Sequence, residues 1–220
     1  MDVDKYINDI NKNKLFQNIS EENLKALLPC LNATIKNYSK EQIILHQGDS
    51  IEKVGIILEG TLKVERVDFW GNNSILRKLT KNDMFGEIYA FEKKPLEISI
   101  ISASSSKILF LNFNKIIHPC HYACTFHTTL IINLLQIFAT KASSMNKKIG
   151  ILSKRTIEDK ILSYLKTISV QKNSKTFEIP FNRQELADFL VVNRSALSKE
   201  LMKLKQDGIL DFNKNSFTLL

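Results

Sequence analysis

Between Phe181 and Gly208 the chain carries side chains suited to holding a nucleic acid: Arg183, Gln184, Asn193, Arg194, Ser195, Ser198, Lys199 and Lys203. Guanidinium, amide, hydroxyl and ammonium donors of this kind reach base edges and phosphate oxygens when the first turn of a helix enters the major groove. Two helices must position them. Leu186, Ala187 and Leu190 make one short apolar face at helical period, Leu197, Leu201 and Leu204 make a longer one, and the two meet around Val191 and Val192. Asn193 is a good N-cap for the second helix and Gly208 a stop signal. Past Gly208, two short apolar runs flank Asn213-Lys-Asn-Ser216 and read as a hairpin. The pattern predicts a winged helix-turn-helix, although any two-helix corner with a solvated basic face would share part of it.

Composition narrows the class. At 220 residues the chain has room for one large domain or two smaller ones, and 44% apolar content is enough for a core. A net charge of +8 favours a polyanionic partner, and residues 151–220, with 12 Lys/Arg against 8 Asp/Glu, are the more basic part per residue. Three cysteines argue against a disulfide framework and suit a reducing cytosol. No apolar run of about 18 residues occurs, and the start has neither a basic n-region nor an apolar h-region, so a cytoplasmic protein with no membrane role is expected.

Residues 4–31 place apolar side chains at helical spacing, with Ser20 a helix start and Pro29 disturbing the last turn. From Thr34 to about Phe113 the period changes. Ile43–Leu45, Val54–Leu58, Thr61–Val67, Ile75–Leu79, Ile98–Ile101 and Ile108–Phe113 read as short strands separated by turn residues, which implies a sandwich or barrel.

Within that stretch stand Gly48-Asp49, then Ile56-Ile-Leu-Glu-Gly60-Thr-Leu-Lys-Val64, then Leu79-Thr-Lys-Asn-Asp-Met-Phe-Gly86-Glu87. These resemble the β-roll of cyclic-nucleotide-binding domains. With the terminal winged motif, the order from about Phe16 to Leu220 is similar to the Crp/Fnr family of bacterial transcription regulators. In cyclic-AMP-binding members, Gly-Glu opens a short helix and an Arg-Ser pair about ten residues later holds the cyclic phosphate. The resemblance places Gly86 and Glu87 in the effector pocket, but Glu97 and Ile98 stand where Arg and Ser would be, followed by Ser99. A carboxylate repels a phosphodiester that wants a bidentate guanidinium, so cyclic AMP in the usual pose is not expected. Lys93 and Lys94 read better as a solvated pair before Pro95 than as replacements. Glu87 can bind a ligand hydroxyl or stabilise the start of its own helix.

From about Cys120 to Leu152 the apolar residues Ile131, Leu135, Phe138, Ala142, Met145, Ile149 and Leu152 follow at steps of four and three. Three heptads of this kind predict a helix that pairs with its copy, while Ile132, Leu134 and Ile137 widen the stripe enough to pack on the β-roll as well. The resemblance implies that this helix makes the dimer and closes the pocket. It puts Met145 and Asn146 where cyclic-AMP-binding members present Thr-Ser, a second departure from a purine site.

At the head of the helix, Cys120, Cys124 and His127 fall on one helical face. Packing explains them adequately, and a zinc, haem or thiol-redox role is the alternative. The oxygen-sensing branch of the family places its cluster on N-terminal cysteines, and none precedes Cys30 here. Thr156 with Asp159 forms a capping pattern that starts the next helix, so Lys154–Thr156 reads as a hinge.

The expected fold is therefore α+β: an antiparallel β-roll of double-stranded β-helix or jelly-roll type (1–119), a long dimerisation helix (120–153) and a winged helix-turn-helix (154–220). The resemblance implies a homodimeric regulator that binds double-stranded DNA at an inverted repeat, with RNA polymerase a further candidate partner. It makes Arg194, Ser195 and Lys199 base-reading residues and leaves Arg183, Gln184 and Asn193 to phosphates. A cupin-type metalloenzyme needs histidines on neighbouring strands, and residues 34–113 offer only His46, so catalysis is not expected.

Overall fold

The computed structural model describes residues 4–67, 69–70, 73–118 and 125–220. The chain divides into two compact units, 1–138 and 139–220.

In the first unit, a 3-10 turn (Asp4–Tyr6), helix α1 (Ile7–Asn11), a second 3-10 turn (Lys14–Phe16) and α2 (Glu21–Cys30) precede the strands. Ser20 caps α2, its hydroxyl accepting from the Asn23 amide, and Pro29 is taken into the last turn. Eight strands follow: β1 (Thr34–Tyr38), β2 (Ile43–Leu45), β3 (Lys53–Glu59), β4 (Leu62–Val67), β5 (Asn73–Leu79), β6 (Met84–Phe85), β7 (Ser99–Ser102) and β8 (Ser106–Asn112). They form two antiparallel four-stranded sheets, ordered β1-β8-β3-β6 and β2-β7-β4-β5. The expected antiparallel roll is present. β1 and β6, which the sequence pattern did not mark as strands, are the two edges of the first sheet.

Period-two alternation sorts the first sheet's side chains into two cores. Ile57 and Ile108 with Phe110 point between the sheets, where they meet Leu62, Val64, Leu79, Phe85 and Ile100. Val54, Ile56, Leu58, Leu109 and Leu111 point the other way and pack on Leu24, Leu27 and Leu31 of α2. Gly55 has a steric reason to be glycine, since a Cβ there would run into the Phe85 ring.

Between β6 and β7 lies α3 (Glu87–Glu92), and after β8 come α4 (Phe113–Ile117) and the long α5 (Thr125–Leu152). Leu130 and Leu134 of α5 are buried in the core that contains α2. Buried Asn133 fixes the register: its amide donates to the carbonyls of Leu15 (3.0 Å) and Gln17 (2.7 Å). The heptad positions Leu135, Met145 and Ile149 are instead 62%, 62% and 59% exposed. The helix thus has a covered face and an uncovered apolar one, as the widened stripe implied.

The second unit holds the end of α5, α6 (Ile157–Lys172), β9 (Thr176–Glu178), α7 (Arg183–Leu190), α8 (Arg194–Gln206), β10 (Leu210–Asn213) and β11 (Ser216–Leu219). Its three strands pair antiparallel in the order β10-β11-β9. Ile151 of α5, Ile161 and Leu165 of α6, the apolar faces of α7 and α8, and Phe217 share one core.

Candidate nucleic-acid interface and effector pocket

α7 begins with a full capping box. The Asn182 side-chain oxygen accepts from the Glu185 amide and the Glu185 carboxylate accepts from the Asn182 amide, both at 2.9 Å. The helix ends at Val191, whose φ of 53° is costly for a β-branched residue. That left-handed turn redirects the chain so that Asn193 can start α8, its side-chain oxygen accepting from the amide (2.9 Å) and the hydroxyl (2.6 Å) of Ser195. Leu197, Leu201 and Leu204 are fully buried, which turns the opposite face of α8 to solvent.

On that face Arg194, Ser195 and Lys199 are exposed and Ser198 is half-buried. Among the described residues neither Arg194 nor Lys199 has an ion-pair partner, so both cations are available to an external anion. Lys203 is engaged instead: its ammonium lies 3.0 Å from Glu158 and 3.3 Å from Glu200, and these carboxylates raise its pKa. Gln184 is also occupied, donating to the Asp188 carboxylate at 2.8 Å within α7.

Arg183 has a role that residue types alone did not reveal. Its guanidinium sits 4.7 Å from the Phe212 ring centre and 5.4 Å from that of Phe217, which face each other across the hairpin register. It also donates to the Lys214 carbonyl at 3.3 Å, and burial lowers its pKa. One side chain therefore clamps the wing to the first turn of α7. A second contact missed from sequence sets Lys148 of α5 over the Phe189 ring of α7 at 4.9 Å. Phe189 in turn packs against Tyr164 and Phe181, and burial pushes the Tyr164 hydroxyl up to about 12.

In the first unit, Gly86 (φ 83°) ends β6 and opens α3, where a side chain would be strained. Glu87, in the first turn, is buried. Glu97 is exposed and its carboxylate lies 3.7 Å from the Arg66 guanidinium. Burial, reinforced by the Glu97 charge, raises the Tyr89 hydroxyl pKa. Ile98 packs against the core between the sheets, and the Ser99 hydroxyl accepts from the Gln47 amide at 3.0 Å. Met145 and Asn146 are exposed on the part of α5 that belongs to the second unit.

Of the Cys/His group, Cys120 and Cys124 lie outside the described residues. His127 is buried and stacked on Phe126, and its Nδ1 has no hydrogen-bond partner among the described residues. No group of three or more metal-binding side chains occurs among those residues.

Comparison with known proteins gives this arrangement a family. Residues 35–118 match the cyclic nucleotide-binding domain family and residues 159–220 the Crp-like helix-turn-helix domain family, in that order along one chain. The chain belongs to the Crp/Fnr family. As a member of that family it is a DNA-binding transcription regulator and not an enzyme. It is 21% identical over 184 residues to the cAMP-activated global transcriptional regulator CRP of Salmonella typhimurium, covering 80% of this chain and 84% of that one. The Crp/Fnr fold recurs in the Thermus thermophilus catabolite activator protein, with a TM-score of 0.53, 19% identity and coverage of 94% and 93% of the two chains. It recurs again in CprK complexed with OCPA, with a TM-score of 0.69, 16% identity and coverage of 90% and 91%. No helix among the described residues is long and apolar enough to cross a membrane.

Proposed function

We propose that this regulator works as a homodimer that reads an inverted repeat in double-stranded DNA, switched by an effector other than cyclic AMP. The observation that carries the DNA part is the solvent face of α8, where Arg194 and Lys199 have no ion-pair partner among the described residues, beside the Asn193–Ser195 cap. In this reading Arg194 donates in bidentate fashion to a guanine, and Ser195 and Lys199 contact neighbouring bases. Ser198 supplies a further donor. Arg183, Gln184 and Asn193 serve the phosphates, Arg183 chiefly by holding the wing in place and Gln184 only through the amide hydrogen not given to Asp188.

The dimer reading rests on the exposed heptad of Leu135, Met145 and Ile149. We assign residues 1–119 to effector sensing, 120–153 to pairing and 154–220 to DNA. Two copies of α8 would then meet successive major grooves about one helical turn apart. A shift of the paired helices would carry the winged core with the end of α5, whose Ile151 is buried in it, and so bias binding.

Against cyclic AMP stands Glu97. A phosphate placed there meets a carboxylate, and the nearby guanidinium of Arg66 is already spent on it. A neutral or cationic group suits the exposed Glu97 carboxylate better than a phosphate does.

The test is selection of bound duplexes from a random DNA pool by the purified protein. Enrichment of an inverted repeat, with log affinity falling steeply in log salt, is the expected result. A pool that stays random, or binding without salt dependence, would refute the reading.

A further inference from the structure

Lys36 and Tyr38 of β1, Ile44 and Leu45 of β2, and Phe110 of β8 surround a cavity of about 360 Å³ at the β1/β2 end of the roll. The volume falls in the range of small-molecule sites, about 300–1,000 Å³. Its walls are apolar and aromatic. Tyr38 meets the Phe110 ring edge-to-face at 6.4 Å, and Ile51 closes the slot beside Leu45.

The mouth is cationic. Lys36 and Lys53 stand there with Glu52 as the sole acid of the lining, a local charge of +1. Lys36 is held 6.0 Å from the Phe110 centroid, at the top of the aromatic wall. Among the described residues neither ammonium has an ion-pair partner and the Tyr38 hydroxyl has no hydrogen bond, in contrast to Lys63, Lys81 and Lys107 on the same unit, which all do. An apolar slot whose rim carries two ammonium groups without a carboxylate partner among the described residues is complementary to a molecule with an apolar ring at one end and a carboxylate at the other.

We propose that this slot is a binding site for a small aryl carboxylate, the ring lying against Tyr38, Ile44 and Ile51 and the carboxylate between Lys36 and Lys53. It is separate from the β6–α3 turn at Gly86 and Glu87, neither of which lines it. The two are nevertheless back to back. A Cβ on Gly86 would stand 2.9 Å from Ile51 Cδ1 and 3.8 Å from Leu45 Cδ1, so the inner wall of the slot is also the support of the β6–α3 turn. Filling the slot presses Ile51 and Leu45 toward that turn, which gives an occupant a path to the switching element. The binding claim itself does not depend on what the Gly86 pocket holds.

The experiment is calorimetric titration of the full chain with indole-3-acetate and with its neutral analogue indole-3-acetamide. The carboxylate should bind with a Kd of about 1 mM or tighter and the amide about tenfold more weakly. Lys36→Gln combined with Lys53→Gln should weaken the carboxylate about tenfold while leaving the amide unchanged. Ile44→Trp, which fills the slot, should abolish both. Equal affinity for carboxylate and amide, binding that survives Ile44→Trp, or no heat at about 10 mM ligand would each overturn the proposal. DNA affinity of the Lys36→Gln and Lys53→Gln double variant without ligand reports separately on the winged domain and should match the unaltered protein.

Discussion

Leu135→Glu is the substitution that most directly tests the pairing of α5. Leu135 is 62% exposed, whereas Leu134 beside it is 3% exposed in the core of the first unit, so the change leaves the packing of the subunit intact. Burying a whole leucine side chain is worth about 1.5–3 kcal/mol, so covering what remains of Leu135 is worth about 1–2 kcal/mol. A two-fold dimer covers two copies, and their loss costs about 2–4 kcal/mol, or ~30- to ~1,000-fold in the dimer dissociation constant. Two carboxylates facing each other in the seam add to that loss. Sedimentation velocity across a concentration series reads the constant directly, and circular dichroism melting checks that the subunit stays folded within about 0.5 kcal/mol. Affinity for a full inverted repeat should fall with dimerisation while that for a half-site holds. A Leu135→Glu protein with an unchanged dimer constant would refute the heptad as the seam.

Four further outcomes follow from the winged unit. Arg194→Ala should cost about 1–3 kcal/mol of specific DNA affinity and relax selectivity at one base pair, read by competition binding against single-base operator variants. Arg183→Ala should cost about 1–2 kcal/mol and speed amide exchange in Phe212–Phe217, because the wing loses its clamp to α7; unchanged exchange would show the stacking to be incidental. Leu201→Ala, at a side chain fully buried in the winged core, should lower stability by about 2–5 kcal/mol in chemical denaturation. Tyr164 keeps its proton to about 12 in the folded protein against 10.0 in an open chain, so the unfolded state binds fewer protons in that window. Stability should therefore fall as pH rises from about 10 to about 12, and Tyr164→Phe should flatten the fall.

The sequence showed best what local pattern controls. Asn193 and Ser20 were legible as caps because a short side-chain acceptor ahead of an apolar period has few other uses, and both caps formed. The central strands were legible because β3 and β8 are buried on both faces through their middles and so carry continuous apolar runs at Ile56–Leu58 and Ile108–Leu111. β1 and β6 were not. Each has a neighbour on one side only, β1 is polar at Lys36 and Asn37, and β6 has just two residues, so neither carries enough period to register.

The interface divides along the same line. The exposed donors of α8 could be read from helical spacing, but their availability could not. Lys203 is withdrawn by Glu158 from another helix and one amide hydrogen of Gln184 by Asp188, whereas Arg194 and Lys199 have no ion-pair partner among the described residues. The Arg183 clamp depends on the register that puts Phe212 opposite Phe217, a pairing fixed by the wing hairpin and not by anything near residue 183. The same reasoning bears on how a signal would arrive. Ile151 of α5 is buried in the winged core and Lys148 lies over Phe189 of α7, so any rotation of the end of α5 is felt by the first helix of the DNA-reading motif. Lys148→Ala should then leave DNA affinity in the resting state near its starting value but reduce the change in affinity that an effector produces. Equal response in the two proteins would place the coupling elsewhere in the Ile151 contact.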